Sequence, residues 1–490
     1  MQPVITVEEM RKADAAALAH VEEAVLVRRA GTAVAVRALE MLGGAYGRRV
    51  VVVAGKGNNG NDGRVAAQHL RQRGARVTVL PADSCSGLTL GADLVIDAAY
   101  GTGFRGSYVA PDVASDVPVL AVDIPSGVDG NTGEASGRPM AARSTITFAS
   151  YKPGLLQWDG ADLCGSILVS DIGVTVNEPS MGLIDDDDVA AFVPAREHDA
   201  HKWKTSVAVV AGSPGMEGAA ALCVLGASRS GAGMVRLAVP GSRRPDGGVL
   251  PGPWPLQAVR VPLGEHGWAE EVLEILQRCK ALVVGPGLGR GDDAGTEIRR
   301  LVSSSPVPVV VDADALVALG GAESARKVVK GERGVERPVV LTPHDGEFRG
   351  LDGSDPGSDR VAAARRLAER TGAIVLLKGA PTVVAAPPGD LRDLSLPGVL
   401  LSTSGTSRLA TAGTGDVLSG VVGAFIARGT PPVAAAAVGA HVHGRAGELG
   451  LAEGLVAGDL PDLVARVLSE LLDPEVPTPE PPMFAGPSNV

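Results

Sequence analysis

The sequence predicts an α/β protein of two successive domains, each built on a largely parallel sheet, and three observations lead there. Short β-branched runs alternate with Ala-rich segments of helical period, the pattern of strands joined by crossover helices. The rhythm breaks once, at the charged stretch LIDDDDVAAFVPAREHDAHKWK, and restarts near residue 206. At 490 residues the chain also exceeds what one ordinary core holds.

In chain order, residues 7–42 carry a long amphipathic helical pattern suited to covering one face of a sheet. RVVVVAG (49–55) reads as a buried strand and NDGRVAAQHLRQRG as the helix after it; RVTVL, ADLVIDA and VPVLAVDIP are the next strands. Beyond the break, SVAVVAGSPG is a strand and glycine turn and GAAALCVLGASRSGAG a small-residue helix. ALVVGPG, VPVVVDAD, RPVVLTPHDGE and GAIVLLKGA are later strands. The boundary is placed near residue 196, giving domains 1–195 and 196–473; the Pro-rich end 474–490 reads as a disordered tail. The acidic run Asp185 to Asp188 reads as a helix start and solvated turn, not a metal site. His198 and His201 lack a nearby third ligand and read as linker residues.

Composition narrows the function. Aromatics make up 3% and the net charge is −11, so neither a stacking surface nor a basic face for nucleic acid is present. Small anionic substrates stay open, since backbone N–H groups and one or two cations hold them. Cys85, Cys164, Cys223 and Cys279 show no zinc spacing and read as reduced thiols of a cytoplasmic protein. The acidic N-terminus is unlike a signal peptide, and apolar stretches such as VLSGVVGAFIA are too short to span a bilayer. No membrane or nucleic-acid partner is expected; a homo-oligomer is.

The first strand runs into GKGNNGNDG, a glycine loop opening a helix, where free N–H donors favour anions. Alone such a loop is weak evidence: GxGxxG is present only loosely, and no Gly-Lys-Ser/Thr of a P-loop follows. Asn58, Asn59 and Asp62 are more polar side chains than a turn requires, however. Two further strands end in Asp97 and in Asp123 with Ser126, and strand C-termini converge on the ligand crevice of an open, Rossmann-like sheet.

GNNGNDG, DAAYGTGFRG, VDIPSGVDGNTG and TFASYKPG, in this order, resemble the signature segments of NAD(P)H-hydrate epimerases over roughly residues 5–195. The resemblance implies that Asn58, Asn59, Gly60, Asn61, Asp62, Gly101, Thr102, Gly103, Phe104, Arg105, Gly106, Ser107 and Asp123 bind the hydrated dinucleotide, and that Asn59, Asp97 and Ser126 hold K+. The chain departs from the family pattern at Asn61, where a glycine is usual and Asn serves by tolerating left-handed φ, and at Arg28, where a glutamate is usual. Epimerisation at C6 asks for proton transfer, for which Asp123 and Lys152 are the candidates, Lys152 serving equally as a phosphate contact or structural residue.

In the second part, TAGTGDVLSGVVGAFIARG places glycines and Asp416 at the start of a small-residue helix, an anion cradle with an acid beside it. A glycine-capped core helix explains Asp416 but not Gly413, Gly415 and the small residues together. LLKGAPT ends a strand with Lys378, placed to meet phosphates. GTGD resembles the ribokinase-like superfamily, and VAVVAGSPGMEGAAALCVLGASRSGAGMVRLAVP, VVGPGLGRGDD, VVVDADAL and LTPHDGEF resemble its ADP/ATP-dependent NAD(P)H-hydrate dehydratases over about residues 200–470. This implies a ribokinase-like α/β fold in which Gly289, His344, Asp345, Gly346, Glu347, Phe348, Arg349 and Gly350 bind the hydrate. ADP would be held by Lys378, Gly379, Ala380, Pro381 and Thr382 and by Thr406, Ser407, Arg408, Leu409, Ala410, Thr411, Ala412, Gly413, Thr414 and Gly415. Mg2+ would assist, and Asp416 would meet the reacting hydroxyl. Asp345 replaces the family's usual proline, which is expected to loosen that loop. The substrates implied are the hydrates NADHX and NADPHX. Two alternatives remain open: a small-alcohol kinase that stops at the phosphoester, and a first domain that only binds ligand.

Overall fold

The computed structural model describes residues 1–244, 246–248, 254–331, 337–389 and 396–473. The expected tail, 474–490, lies outside them. The chain forms two compact units, one built on Gln2–Leu183 and the other on Ile184–Pro356 and the residues from Val361 onward.

The first unit holds a six-stranded parallel sheet in the order Ser166–Ser170, Ser144–Phe148, Val119–Val122, Leu94–Ala98, Arg49–Ala54, Arg76–Pro81. After Arg76–Pro81 the chain crosses back past its first strand, so the topological switch lies between Arg49–Ala54 and Leu94–Ala98. Alternate residues face opposite layers. Val50, Val52, Leu94 and Ile96 pack under the helices Val7–Leu18, Glu23–Leu42 and Asn58–Gln72, while Val53 and Val95 join Tyr108 and Met140 on the other face. The amphipathic pattern of 7–42 thus covers one face as expected, but as two helices, the second entered through an extended Glu22 (ψ 139°).

Among its described residues the second unit holds nine strands in the order Val399–Ser402, Thr382–Ala385, Ile374–Leu377, Val339–Leu341, Val309–Val311, Ala281–Val284, Ser206–Val210, Met234–Val239, Ala258–Pro262. Pairing is parallel from Ile374–Leu377 to Ala258–Pro262 and antiparallel at the other end. Again the switch falls beside the first strand, between Ser206–Val210 and Ala281–Val284. The helix Thr414–Ala427 packs onto these strands and against the helix Glu217–Arg229. A Cβ on Gly420 would lie 2.1 Å from the Cys223 carbonyl oxygen and one on Gly226 2.4 Å from that of Val417. The small-residue composition of both helices is what allows this approach.

The contacts divide at Leu183/Ile184, ahead of the boundary expected near residue 196. Ile184, Val189 and Val193 are buried in the second unit's core, because the helix Asp186–Phe192 packs on Pro432–Leu449 and Leu460–Leu472. The acidic run is the start of that helix, as expected; Asp185 and Asp188 form a reciprocal capping box, and Asp188 is buried rather than solvated. His198 and His201 are exposed. Among the described residues no helix is long and apolar enough to cross a membrane.

Candidate active sites

In the first unit, loops leaving the two strands at the switch point diverge and open a cavity of about 590 Å³, where ligands of open α/β sheets bind. Gly55 and Gly60 set the first loop: a Cβ on either would lie 1.9 Å from the Ala99 oxygen or 2.0 Å from the Gly55 oxygen. Asn58, Asn59, Asp62, Gly101, Thr102, Gly103, Phe104, Arg105 and Asp123 line the cavity; Gly60, Asn61, Gly106, Ser107 and Lys152 do not. The helix begins at Asn58, so Asn61 lies in its first turn, exposed and without positive φ. That corrects the left-handed turn expected there. Arg28 is exposed and off the cavity.

Asp123 is the centre of the cavity's polar network. It holds a left-handed φ of 67° at a strand end, the strained backbone often found at functional sites. Its Oδ1 accepts from Lys152 Nζ at 2.9 Å and Thr147 Oγ1 at 3.2 Å, and its Oδ2 from the Thr102 N–H at 3.4 Å. Burial alone would raise this carboxyl; the Lys152 ammonium and the donors outweigh it and hold it below the usual carboxylate range. Lys152 is itself 1% exposed and also donates to Thr147 Oγ1 and the Phe148 carbonyl, so its three N–H bonds are taken. Asp123 and Asn59 converge on Gly101, where a Cβ would sit 3.2 Å from Asp123 Oδ2 and 3.6 Å from Asn59 Cγ. Asp62, in contrast, is pushed up to about 8 by burial, with the charge of Asp123 adding to it.

Asp97 lies behind this cavity, fully buried. It accepts from Ser126 Oγ at 2.7 Å, the Ser126 N–H at 2.9 Å and the Ala99 N–H at 3.3 Å. No cationic side chain pairs with it among the described residues, and burial pushes its carboxyl up. Sequence reasoning missed the cavity's helical wall, which includes Met10, Asp14, Glu23, Leu26 and Ala30. The only signal was the amphipathic pattern, which does not say which positions face a ligand.

In the second unit, Gly413 takes a φ of 94° and delivers Asp416 onto the first turn of the helix Thr414–Ala427. Lys378 Nζ lies 2.9 Å from Asp312 Oδ1 and 3.7 Å from Glu347 Oε2, and 3.4 Å from where a Cβ on Gly415 would stand. The cation therefore sits at the helix N-terminus. Asp312 also accepts from Thr342 Oγ1 at 2.8 Å and Ser419 Oγ at 2.6 Å. Burial would raise its carboxyl, but Lys378 and the hydroxyls hold it low. Asp416 is pushed up to about 7 by burial and by the charge of Asp312, with Lys378 opposing. Asp312 was visible in VVVDADAL without a role; tertiary contact supplies one.

His344 caps the helix Asp345–Asp352 through Nδ1, and Glu347 Oε2 accepts its N–H at 2.9 Å. Asp345 is the first helical residue here, which corrects the expected loosening, since Asp suits that end of a helix. Phe348 is wholly buried, so its side chain serves the core. Arg349 pairs with Asp355, and Gly350 is exposed. Gly289 lines a cleft of about 330 Å³ with Arg290, Arg299 and Asp314, its N–H donating to Asp314. Gly379, Ala380 and Thr406 are exposed, Thr382 is half-buried, and Pro381 is buried. Arg408 is tied to the Glu448 and Gly450 carbonyls, and Thr414 to those of Leu409 and Thr411. His443 is buried with Nε2 3.0 Å from the Thr414 oxygen; burial pushes it down to about 4, so it is neutral.

The family description "NAD(P)H-hydrate dehydratase" matches residues 207–470, and "YjeF-related protein N-terminus" matches 23–90 and 81–154. The bifunctional NAD(P)H-hydrate repair enzyme Nnr of Moorella thermoacetica is 34% identical, over 96% of this chain and 97% of its own. That of Mycobacterium leprae is 36% identical, over 96% and 98%. The solved ADP/ATP-dependent NAD(P)H-hydrate dehydratase of Bacillus subtilis, co-crystallised with ATP and Mg2+, is 27% identical over 59% of this chain and 98% of its own, with a TM-score of 0.48. Matched along nearly its whole length by relatives 34% and 36% identical, the chain belongs to the family of bifunctional NAD(P)H-hydrate repair enzymes.

Proposed function

We propose that the first unit interconverts the R and S epimers of hydrated NADH and NADPH, and that the second dehydrates the S epimer with ADP, giving NAD(P)H, AMP and phosphate. The observation that carries this is Asp416: a carboxyl raised to about 7, beside Lys378, on the first turn of a helix whose N-terminus favours phosphate.

Asp416 accepts the C6 hydroxyl proton as that oxygen attacks the β-phosphorus of ADP and AMP departs. A base with a pKa near the working pH suits such a transfer. Lys378 and the helix N–H groups balance charge on the phosphate oxygens. The ring nitrogen's electron pair then expels phosphate from C6, and loss of a C5 proton restores the dihydropyridine. Mg2+ takes its ligands largely from phosphate and water. The carboxylates gathered here, Asp312, Asp314, Glu347 and Asp416 against Lys378, suit a cation brought in with the nucleotide. It would supply further charge neutralisation.

In the first unit, Asp123 is an ionised base within the cavity and Lys152 keeps it so. K+ fits the donor types behind it: Asp97 is a fully buried carboxyl without a cationic partner among the described residues, and the Ser126 hydroxyl lies 2.7 Å from it, while Asn59 can offer its amide oxygen. Asp97, Ser126 and Asn59 would hold it, and its charge would keep Asp97 ionised.

The test is recovery of dihydronicotinamide absorbance from a mixture of both epimers with ADP, Mg2+ and K+. Full recovery is expected, falling to a partial plateau in Asp123→Asn and lost in Asp416→Asn by about 10²–10⁴-fold in rate. Absence of recovery with ADP and with ATP overturns the reading and returns the second unit to the small-alcohol kinases.

A further inference from the structure

Asp62 and Asp123 share one cavity but stand in opposite surroundings. Asp123 is fixed by a buried ammonium and two hydrogen bonds. Asp62 is 6% exposed, lines the same cavity, and has no hydrogen bond or ion pair among the described residues. Titratable groups facing the cavity from the surrounding elements are Asp14 and Glu23 on the first two helices, Tyr100 and Arg105 on the loop after Leu94–Ala98, and Asp123. Glu23 accepts from Asn58 and Arg105 pairs with Asp129, which leaves no cation partnered with Asp62. A carboxyl so placed keeps its proton at neutral pH. Paired carboxyls whose environments push them apart mark an acid and a base.

Resting on the epimerase reading of this cavity, we infer that Asp62 is the general acid of epimerisation, donating a proton to N1 of the hydrate while Asp123 takes the C6 hydroxyl proton. The O–H electron pair becomes the C6 carbonyl π bond. The C6–N1 bond breaks toward nitrogen, and N1 takes the Asp62 proton. The ring-opened aldehyde turns about C5–C6, N1 re-adds to the other face, and both protons return. Nothing is consumed. Lys152, with its N–H bonds committed, positions Asp123 and does not touch substrate.

The experiment is Asp62→Asn in the full chain, which keeps the shape of the neutral acid. Interconversion of isolated R and S epimers is followed chromatographically without ADP, beside equilibrium titration with the hydrate mixture and a thermal melt. The expected result is a fall in kcat of about 10²-fold or more, hydrate affinity within threefold, and a melting temperature no lower than the wild type. The wild-type profile should fall above about pH 8, and that limb should be absent from the variant's residual rate. A variant with wild-type kcat, or one losing affinity as much as rate, overturns the assignment while the epimerase reading stands. A wild type no faster than spontaneous interconversion overturns both.

Discussion

Lys378 and Asp312 meet at 2.9 Å beneath the first turn of the helix that carries Asp416. One buried carboxylate thus orients the Lys378 ammonium, proposed to meet phosphate, and adds to the burial that raises Asp416, the proposed base, because its charge opposes ionisation of Asp416 while its oxygens hold the ammonium.

Asp312→Asn should therefore move the rising limb of the dehydration profile to lower pH. Asp416 must be ionised to act, its carboxyl stands near 7, and loss of the Asp312 charge lowers it. The plateau rate should fall roughly 10–100-fold, the equivalent of a charged hydrogen bond of about 1.5–3 kcal/mol. A pH series under saturating ADP measures both effects.

Lys152→Met leaves Asp123 buried without its cation, which typically destabilises by about 3–5 kcal/mol. Asp123 is depressed in the fold, so its stabilisation is present above the unfolded carboxylate range and is lost as pH falls through its folded value. Thermal melts across the acid range should show that loss in the wild type and not in the variant.

Asp62 works in the other direction. Its proton is kept to about pH 8 in the fold and released near 4 in an unfolded chain. Between those values the folded state binds the extra proton, so its contribution to stability falls as pH rises. Asp62→Asn should flatten that slope and raise the melting temperature by a few degrees at pH 8, with no gain at pH 4.

Asp97→Asn removes the only carboxylate of the proposed cation site. Epimerisation by the wild type should accelerate with added KCl, and the variant should show the potassium-free rate at every KCl concentration. Acceleration of the variant matching the wild type would count against the site.

Much of the fold was legible because its signals are local. VVVVA and LVVG runs alternating with helical segments fix parallel strands, and glycines whose Cβ would strike a carbonyl, such as Gly55 and Gly420, mark the sharp loop and close helix contact. The unit boundary was not legible, since the acids of Asp185 to Asp188 obscure three apolar residues, Ile184, Val189 and Val193, that only find partners in the distant helices Pro432–Leu449 and Leu460–Leu472.

The two α/β units, the glycine loops and the positions of the acids Asp62, Asp97, Asp123 and Asp416 are read from residue type and spacing within single strand-turn-helix segments. The protonation states of those acids come from contacts between segments. Asp123 is held low because Lys152, 29 residues away, is buried against it; Asp62 is pushed up to about 8 by burial, with no side-chain partner among the described residues; and Asp416 is pushed up to about 7 by burial and by Asp312, which arrives from another strand. Charge state follows from burial and from neighbours, and both are set by which segments the sheet brings side by side.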